Sequence, residues 1–207
     1  MPLNNIMEKL NKIITADEYA AANPEINDVN VFSVSTLAWD WRRQVAYKCM
    51  KGNHMRDETN MDMFRGKAVH EFIQRRLVVE GWAAEMKLSE YIDDAYVAGK
   101  RVRLIGHVDL YEPKEGVIVE LKSSQWSDRI VDSYVIQAGA YAAMLRNMKL
   151  KVNLVYVVKI NSKITTKVLF EEEIIHAYET IKERARLAAN EIEKCLNMNP
   201  IDSYRNE

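Results

Sequence analysis

Apolar positions recur at helical spacing over residues 62–80, where Phe64, Ala68, Phe72, Ile73 and Leu77 fall on one side and Gly81 stops the run. The pattern then changes period. Residues 84–91, 101–112 and 117–123 are rich in β-branched and aromatic residues and are broken by Gly and Pro, which predicts three strands. Helical spacing returns over 129–148. The run VNLVYVVKI, residues 152–160, is nearly all apolar and predicts a strand buried on both faces, with 163–170 as its hairpin partner. A long charged helix follows over 171–196, with a stripe through Ile174, Ile175, Ala177, Ile181, Ala185 and Ala188. Ahead of these elements the chain predicts a helix over about 5–22, ended before Pro24, and then a polar loop, NPEINDVNV. A second helix, capped by Ser33 or Ser35, is expected through about Lys48, and residues 51–60 read as a loop.

This order predicts an α/β fold, a mixed central β-sheet flanked by helices. It also divides the chain into an N-terminal helical region, 1–60, a core with its C-terminal helix, 61–200, and a loose tail, 201–207. A chain of 207 residues, 48% hydrophobic and 29% charged, is large enough to bury a proper core.

A formal net charge of −1 lacks the strong positive balance common in nucleic-acid binders. A carboxylate cluster around a metal offsets basic residues in that sum, so local patches matter more. The two cysteines, Cys49 and Cys195, lie far apart in sequence, which argues against a disulfide framework and suits a reducing compartment. Two thiols alone cannot supply a four-thiolate cluster. No signal-peptide pattern and no long apolar stretch stands in the sequence, so a cytoplasmic protein away from membranes is expected.

The stretch IGHVDLYEPKEGVIVELKSS, residues 105–124, carries the most chemistry. Glu120 and Lys122 are two apart on a strand and so share a face, among apolar Ile118, Val119 and Leu121. Charges in such a strand need compensation, which a metal ion supplies. If Pro113–Gly116 forms a four-residue hairpin loop, residue 112 pairs with 117 and Asp109 lies opposite Glu120. A loop one residue shorter or longer would send Asp109 to the other face. Two carboxylates that close repel unless a cation bridges them.

These residue types suit phosphodiester hydrolysis. Hard cations such as Mg²⁺ take oxygen ligands, here Asp109 and Glu120, with the Leu121 carbonyl as a third. Lys122 can position the attacking water and stabilise the transition state. A further ligand from His70 would shift preference towards Mn²⁺.

The D…ExK spacing of Asp109, Glu120 and Lys122 resembles the PD-(D/E)xK nuclease superfamily, with its restriction-endonuclease-like core. Gly66-x-x-x-His70 upstream and Gln137-x-x-x-Tyr141 downstream are similar to motifs of the RecB-like branch, which includes the CRISPR-associated adaptation nucleases. The resemblance covers about residues 62–170. It implies a Mg²⁺- or Mn²⁺-dependent deoxyribonuclease acting on single strands or DNA ends as an exonuclease, with endonuclease activity also open. His70, Asp109 and Glu120 would bind the metal, Lys122 would activate water, and Gln137 and Tyr141 would support the site.

Many relatives in that branch hold an iron–sulfur cluster through four cysteines. The segment STLAWDWRR, residues 35–43, resembles the N-terminal cysteine motif but has Trp41 where Cys would stand, so no cluster is expected. Arg42, Arg43, Lys100, Arg101 and Arg103 are candidates for phosphate contacts. A homo-oligomer is left open. The alternative reading is a catalytically silent DNA-binding or assembly subunit on the same fold; retention of Asp109, Glu120 and Lys122 argues against it.

Overall fold

A computed structural model describes residues 28–49, 61–123 and 129–198. The helix expected over 5–22, the loop expected over 51–60, the boundary expected at 60 and the tail lie outside the described residues.

The described chain begins with a strand that the hydropathy pattern missed. Strand β1, Val31–Ser33, is buried throughout and runs parallel to Arg103–Ile105. Asn30 docks it: its carbonyl accepts the Arg103 N–H at 2.8 Å and its side-chain amide donates to the Arg101 carbonyl at 2.8 Å. Three residues are too few to show a period of two, and their partner is 72 positions away in register.

Ser33 caps the next helix as expected, accepting from the Thr36 N–H at 3.5 Å. The single helix expected to Lys48 is two, however: α1, Val34–Trp39, and α2, Trp41–Cys49. Asp40 splits them. Its backbone is extended, and its carboxylate accepts the Arg42 N–H at 3.0 Å, which starts α2. Helix α3, Met61–Val78, leads into β2, Ala83–Val97, β3, Lys100–Glu112, and β4, Val117–Ser123. Helix α4, Asp132–Asn147, crosses over to β5, Leu154–Ile160; β6, Ile164–Val168, returns beside it and α5, Glu171–Met198, closes the fold.

The strands form one mixed six-stranded sheet in the order β1-β3-β4-β5-β6, with β2 also on β3. Strand β2 occupies one edge of β3 antiparallel, so β1 and β4 share the other edge, at Arg103–Ile105 and Leu110–Glu112 respectively. Strands β4 and β5 are parallel and β5–β6 is an antiparallel hairpin, as the 163–170 expectation required. Parallel neighbours need a crossover, which α4 provides.

Helices α4 and α5 pack on each other and cover one face of the sheet. Strand β5 is accordingly not buried on both faces. Val155, Val157 and Lys159 are buried, Tyr156, Val158 and Ile160 are half-buried, and Leu154 is exposed. The α5 stripe is buried at Ile174, Ala177, Ile181, Ala185 and Ala188, but Ile175 is 56% exposed, one step off the line of contact. No helix among the described residues is long and apolar enough to cross a membrane. Cys49 and Cys195, remote in sequence, meet where α2 packs on α5; both are free thiols, and burial together with the hydrogen bond between them pushes the Cys49 thiol up to about 12.

Candidate active site

The β3–β4 hairpin has the register that the four-residue loop requires: Glu112 pairs with Val117, Tyr111 with Ile118 and Leu110 with Val119. Gly116, at φ +70°, closes the loop by donating its N–H to the Glu112 carbonyl at 2.9 Å. Asp109 and Glu120 come next in register, and there the backbone ladder stops. The Asp109 carboxylate reaches across instead and accepts the Leu121 N–H through Oδ2 at 2.7 Å.

The opposite edge of Asp109 is also released. The β2–β3 ladder runs Ala84↔Leu110 and Met86↔Val108, skipping the pair between them. Glu85, the residue facing Asp109, has φ +51°, a conformation unusual for anything but Gly. The Asp109 carbonyl accepts from the Gln74 side chain at 3.2 Å, and Gln74 also donates to Glu85 at 2.7 Å. Side chains, not strand pairing, hold Asp109.

Gln74 belongs to a line along α3. Gly66, His70 and Gln74 are spaced by four and share one helix face. A Cβ at Gly66 would lie 2.6 Å from Ser123 Oγ, so the helix comes this close to β4 only because no side chain intervenes. One turn on, His70 Nδ1 is 3.6 Å from Asp109 Oδ1. Burial works to lower the His70 pKa, but the hydrogen bond and charge of Asp109 outweigh it and the net shift is upward.

Glu120 is 1% exposed. Its Oε1 accepts from Lys122 Nζ at 2.8 Å and from Gln137 Nε2 at 2.8 Å. Lys122 Nζ also donates to Gln137 Oε1 at 3.0 Å, and Gln137 Nε2 donates to the Tyr141 hydroxyl at 3.1 Å. Glu120 Oε2 is buried with no hydrogen-bond partner. Burial, with the Asp109 charge added, pushes the Glu120 carboxyl up to about 7 against the pull of Lys122 and His70. For Lys122, burial opposes the charge, but Glu120 and Asp109 prevail and raise its pKa.

The Tyr141 ring packs on Gly106, where a Cβ would fall 2.3 Å from the ring. The glycine of GHVD is thus a seat for the tyrosine that fixes Gln137. Gly106→Ala is expected to displace Tyr141 and loosen Gln137, lowering activity by about tenfold with a destabilisation of about 1–3 kcal/mol from overpacking. Kinetics and urea unfolding of the variant would check this; unchanged values in both would show the ring contact to be dispensable.

Among the described residues, no three His, Cys, Asp or Glu side chains gather closely enough to enclose a metal ion. Mg²⁺ does not require that, since it is usually held by one or two carboxylates and keeps several waters. The bare buried oxygen of Glu120, beside the Asp109 charge, is the kind of polar atom a hard cation satisfies. A strand residue's N–H and carbonyl leave on the same edge, so the Leu121 carbonyl also faces β3. The donor set fits a divalent cation of the Mg²⁺ or Mn²⁺ type.

The basic candidates lie elsewhere. Arg42 is tied to Asp40 by two bonds, at 2.9 and 3.0 Å, and Arg43 stacks on the exposed Trp39. Trp41 packs against the core. Arg101 stacks on Tyr91 and pairs with Asp93. Lys100, Arg101 and Arg103 are near the far end of β3, roughly 20–30 Å from Asp109 along the strand. Sequence reasoning overlooked Gln74, Gly106, Tyr134 and Lys159. Two of these carried a signal: Gln74 continues the Gly66–His70 spacing, and Lys159 is the one charge in the apolar run VNLVYVVKI.

Comparison with known proteins bears on this arrangement. The fold resembles that of SSO0001, at 19% identity over 73% of this chain and 74% of that one, with a TM-score of 0.56. It also resembles a protein from Eubacterium rectale named "Putative exonuclease", at 15% identity over 93% of this chain and 96% of that one, with a TM-score of 0.57. Among curated proteins none matches in sequence. Residues 38–205, a span that includes α3, the β3–β4 hairpin and α4, match the sequence model of one family, and the chain belongs to it: the PD-(D/E)XK nuclease superfamily.

Proposed function

We propose that this chain is a RecB-like, Mg²⁺- or Mn²⁺-dependent deoxyribonuclease that hydrolyses phosphodiester bonds of single strands or DNA ends as an exonuclease, with endonucleolytic cleavage a further activity. One observation carries the reading: Glu120 is buried with one oxygen saturated by Lys122 and Gln137 and the other bare, next in register to Asp109. Burying that carboxylate is costly unless a cation completes its surroundings. The name of the E. rectale neighbour supports exonuclease action.

In this reading Asp109, Glu120 and the Leu121 carbonyl hold the cation, with His70 as a further ligand. The cation would neutralise charge on the scissile phosphate and acidify a bound water. Lys122 orients the attacking water and offsets charge that develops on the phosphate oxygens. Gln137 holds Lys122 and Glu120 at once, its carbonyl accepting from the ammonium and its NH₂ donating to the carboxylate. The NH₂ bond to the Tyr141 hydroxyl, with the bond from Lys122 to its carbonyl, fixes which way that amide faces.

Labelled single-stranded DNA incubated with Mn²⁺ should be degraded by the wild-type protein, not by Asp109→Ala, and not in the presence of a chelator. Tight DNA binding without cleavage would overturn the reading in favour of a silent binding subunit. Equal cleavage by both proteins would remove Asp109 from the site.

A further inference from the structure

Strand β5 places a second lysine beside the site. Lys159 is the Cα partner of Lys122 in the parallel β4–β5 ladder, so the two side chains leave the same face of the sheet. Lys159 is 2% exposed, one of the largest fully buried side chains of the protein. Among the described residues its ammonium meets no carboxylate. It donates to the Arg129 carbonyl at 3.1 Å and lies 5.8 Å from the centroid of the Tyr134 ring. Lys122 Nζ lies 5.3 Å from the centroid of that same ring. Both distances are within the range at which an aromatic quadrupole attracts a cation.

A buried ammonium that meets no carboxylate among the described residues is costly, and an apolar residue would fill this position in β5 more cheaply. What Lys159 touches gives it a use. Arg129 precedes α4, and Tyr134 is in that helix's first turn, where the N-cap residue Val131 offers no side-chain cap. The same helix presents Gln137, one turn on, to Glu120 and Lys122.

We propose that Lys159 is a positioning residue for the nuclease reaction: through the Arg129 carbonyl and the Tyr134 ring it anchors the start of α4 and confines the ammonium of Lys122. The inference rests on the nuclease reading above. Two ammonium groups sharing one ring repel each other, so Lys122 is pressed towards Glu120 and Gln137 and away from Tyr134. Lys159 itself does not touch the reacting phosphate.

Four variants test this on the full chain with labelled single-stranded DNA and Mn²⁺. Lys159→Met, similar in length but uncharged, should lower kcat by about tenfold or more while leaving KM within about twofold, because a positioning residue does not itself contact the substrate. Lys159→Arg, which keeps the charge and a donor, should recover most of the loss. Tyr134→Leu should lower kcat similarly, and the double variant Lys159→Met/Tyr134→Leu should lose little more than either single one. Amide hydrogen exchange in the first turn of α4 should be faster in Lys159→Met than in wild type.

A kcat for Lys159→Met within twofold of wild type would overturn the inference, as would equal impairment of the Met and Arg variants. If Lys159→Met fails to fold, full kcat in Tyr134→Leu overturns it alone. A wild-type protein that cleaves nothing removes the nuclease reading and this inference with it. Cleavage that is indifferent to Lys159 and Tyr134 removes the inference only.

Discussion

Lys122→Met is expected to slow strand cleavage by about 10³-fold, the scale seen when one preorganised group facing developing charge is lost. Two effects act together. The ammonium no longer faces the phosphate, and Glu120, 1% exposed, loses the neighbour that most strongly favours its ionised form. A carboxyl already pushed to about 7 by burial then rises further, so at neutral pH it is protonated and a poor metal ligand. Metal affinity should therefore fall along with kcat and partly return as pH is raised. Lys122→Arg should recover little, because the slot between Glu120 Oε1 and Gln137 Oε1, with bonds of 2.8 and 3.0 Å, is shaped for a point charge and not for a planar fork. Single-turnover cleavage and calorimetric Mn²⁺ titration of the three proteins would check this. Activity in Lys122→Met within tenfold of wild type would take Lys122 out of the chemistry.

The metal-free protein should lose stability as pH rises from about 5 to about 7.5. The folded-state pKa of Glu120, about 7, lies above its reference value of 4.5. Between those values the folded state holds more protons than the unfolded one, so stability falls with rising pH. At about 1.4 kcal/mol per pKa unit, the loss is roughly 3 kcal/mol at most. His70 adds to the same trend: its folded pKa is raised above 6.5, so its contribution is present below that value and fades as pH climbs through the folded one. Glu120→Gln should flatten most of the slope. A divalent cation should reverse it in the wild type, because binding favours the ionised carboxylate, and should act weakly on Glu120→Gln. Urea unfolding at the two pH values, with and without Mn²⁺, measures all of this. A flat profile in the wild type would mean that neither Glu120 nor His70 has a raised pKa in the folded protein.

The parts of the site that could be read in the sequence are those set by local spacing. The four residues Pro113–Gly116 determine the hairpin register, and with it the approach of Asp109 to Glu120. Helical spacing of four puts Gly66 with His70 and Gln137 with Tyr141. What escaped depends on long-range packing. Strand β1 exists because Asn30 and β3 receive it, not because three residues prefer extension. The split at Asp40 turns on a cap that competes with helix continuation. The meeting of Cys49 and Cys195 requires α2 to lie along α5. The break in the β2–β3 ladder at Asp109 involves Glu85 and Gln74, which come from two other elements.

That interruption has a mechanical consequence. A residue stitched into neighbouring strands on both sides can move only if the fabric around it moves too. Asp109 is tied instead to side chains and to the Leu121 amide, while the flanking pairs Ala84↔Leu110 and Met86↔Val108 stay closed. If Asp109 is a metal ligand, as proposed, it is held from side chains while the scaffold that aims Glu120 and Lys122 stays paired.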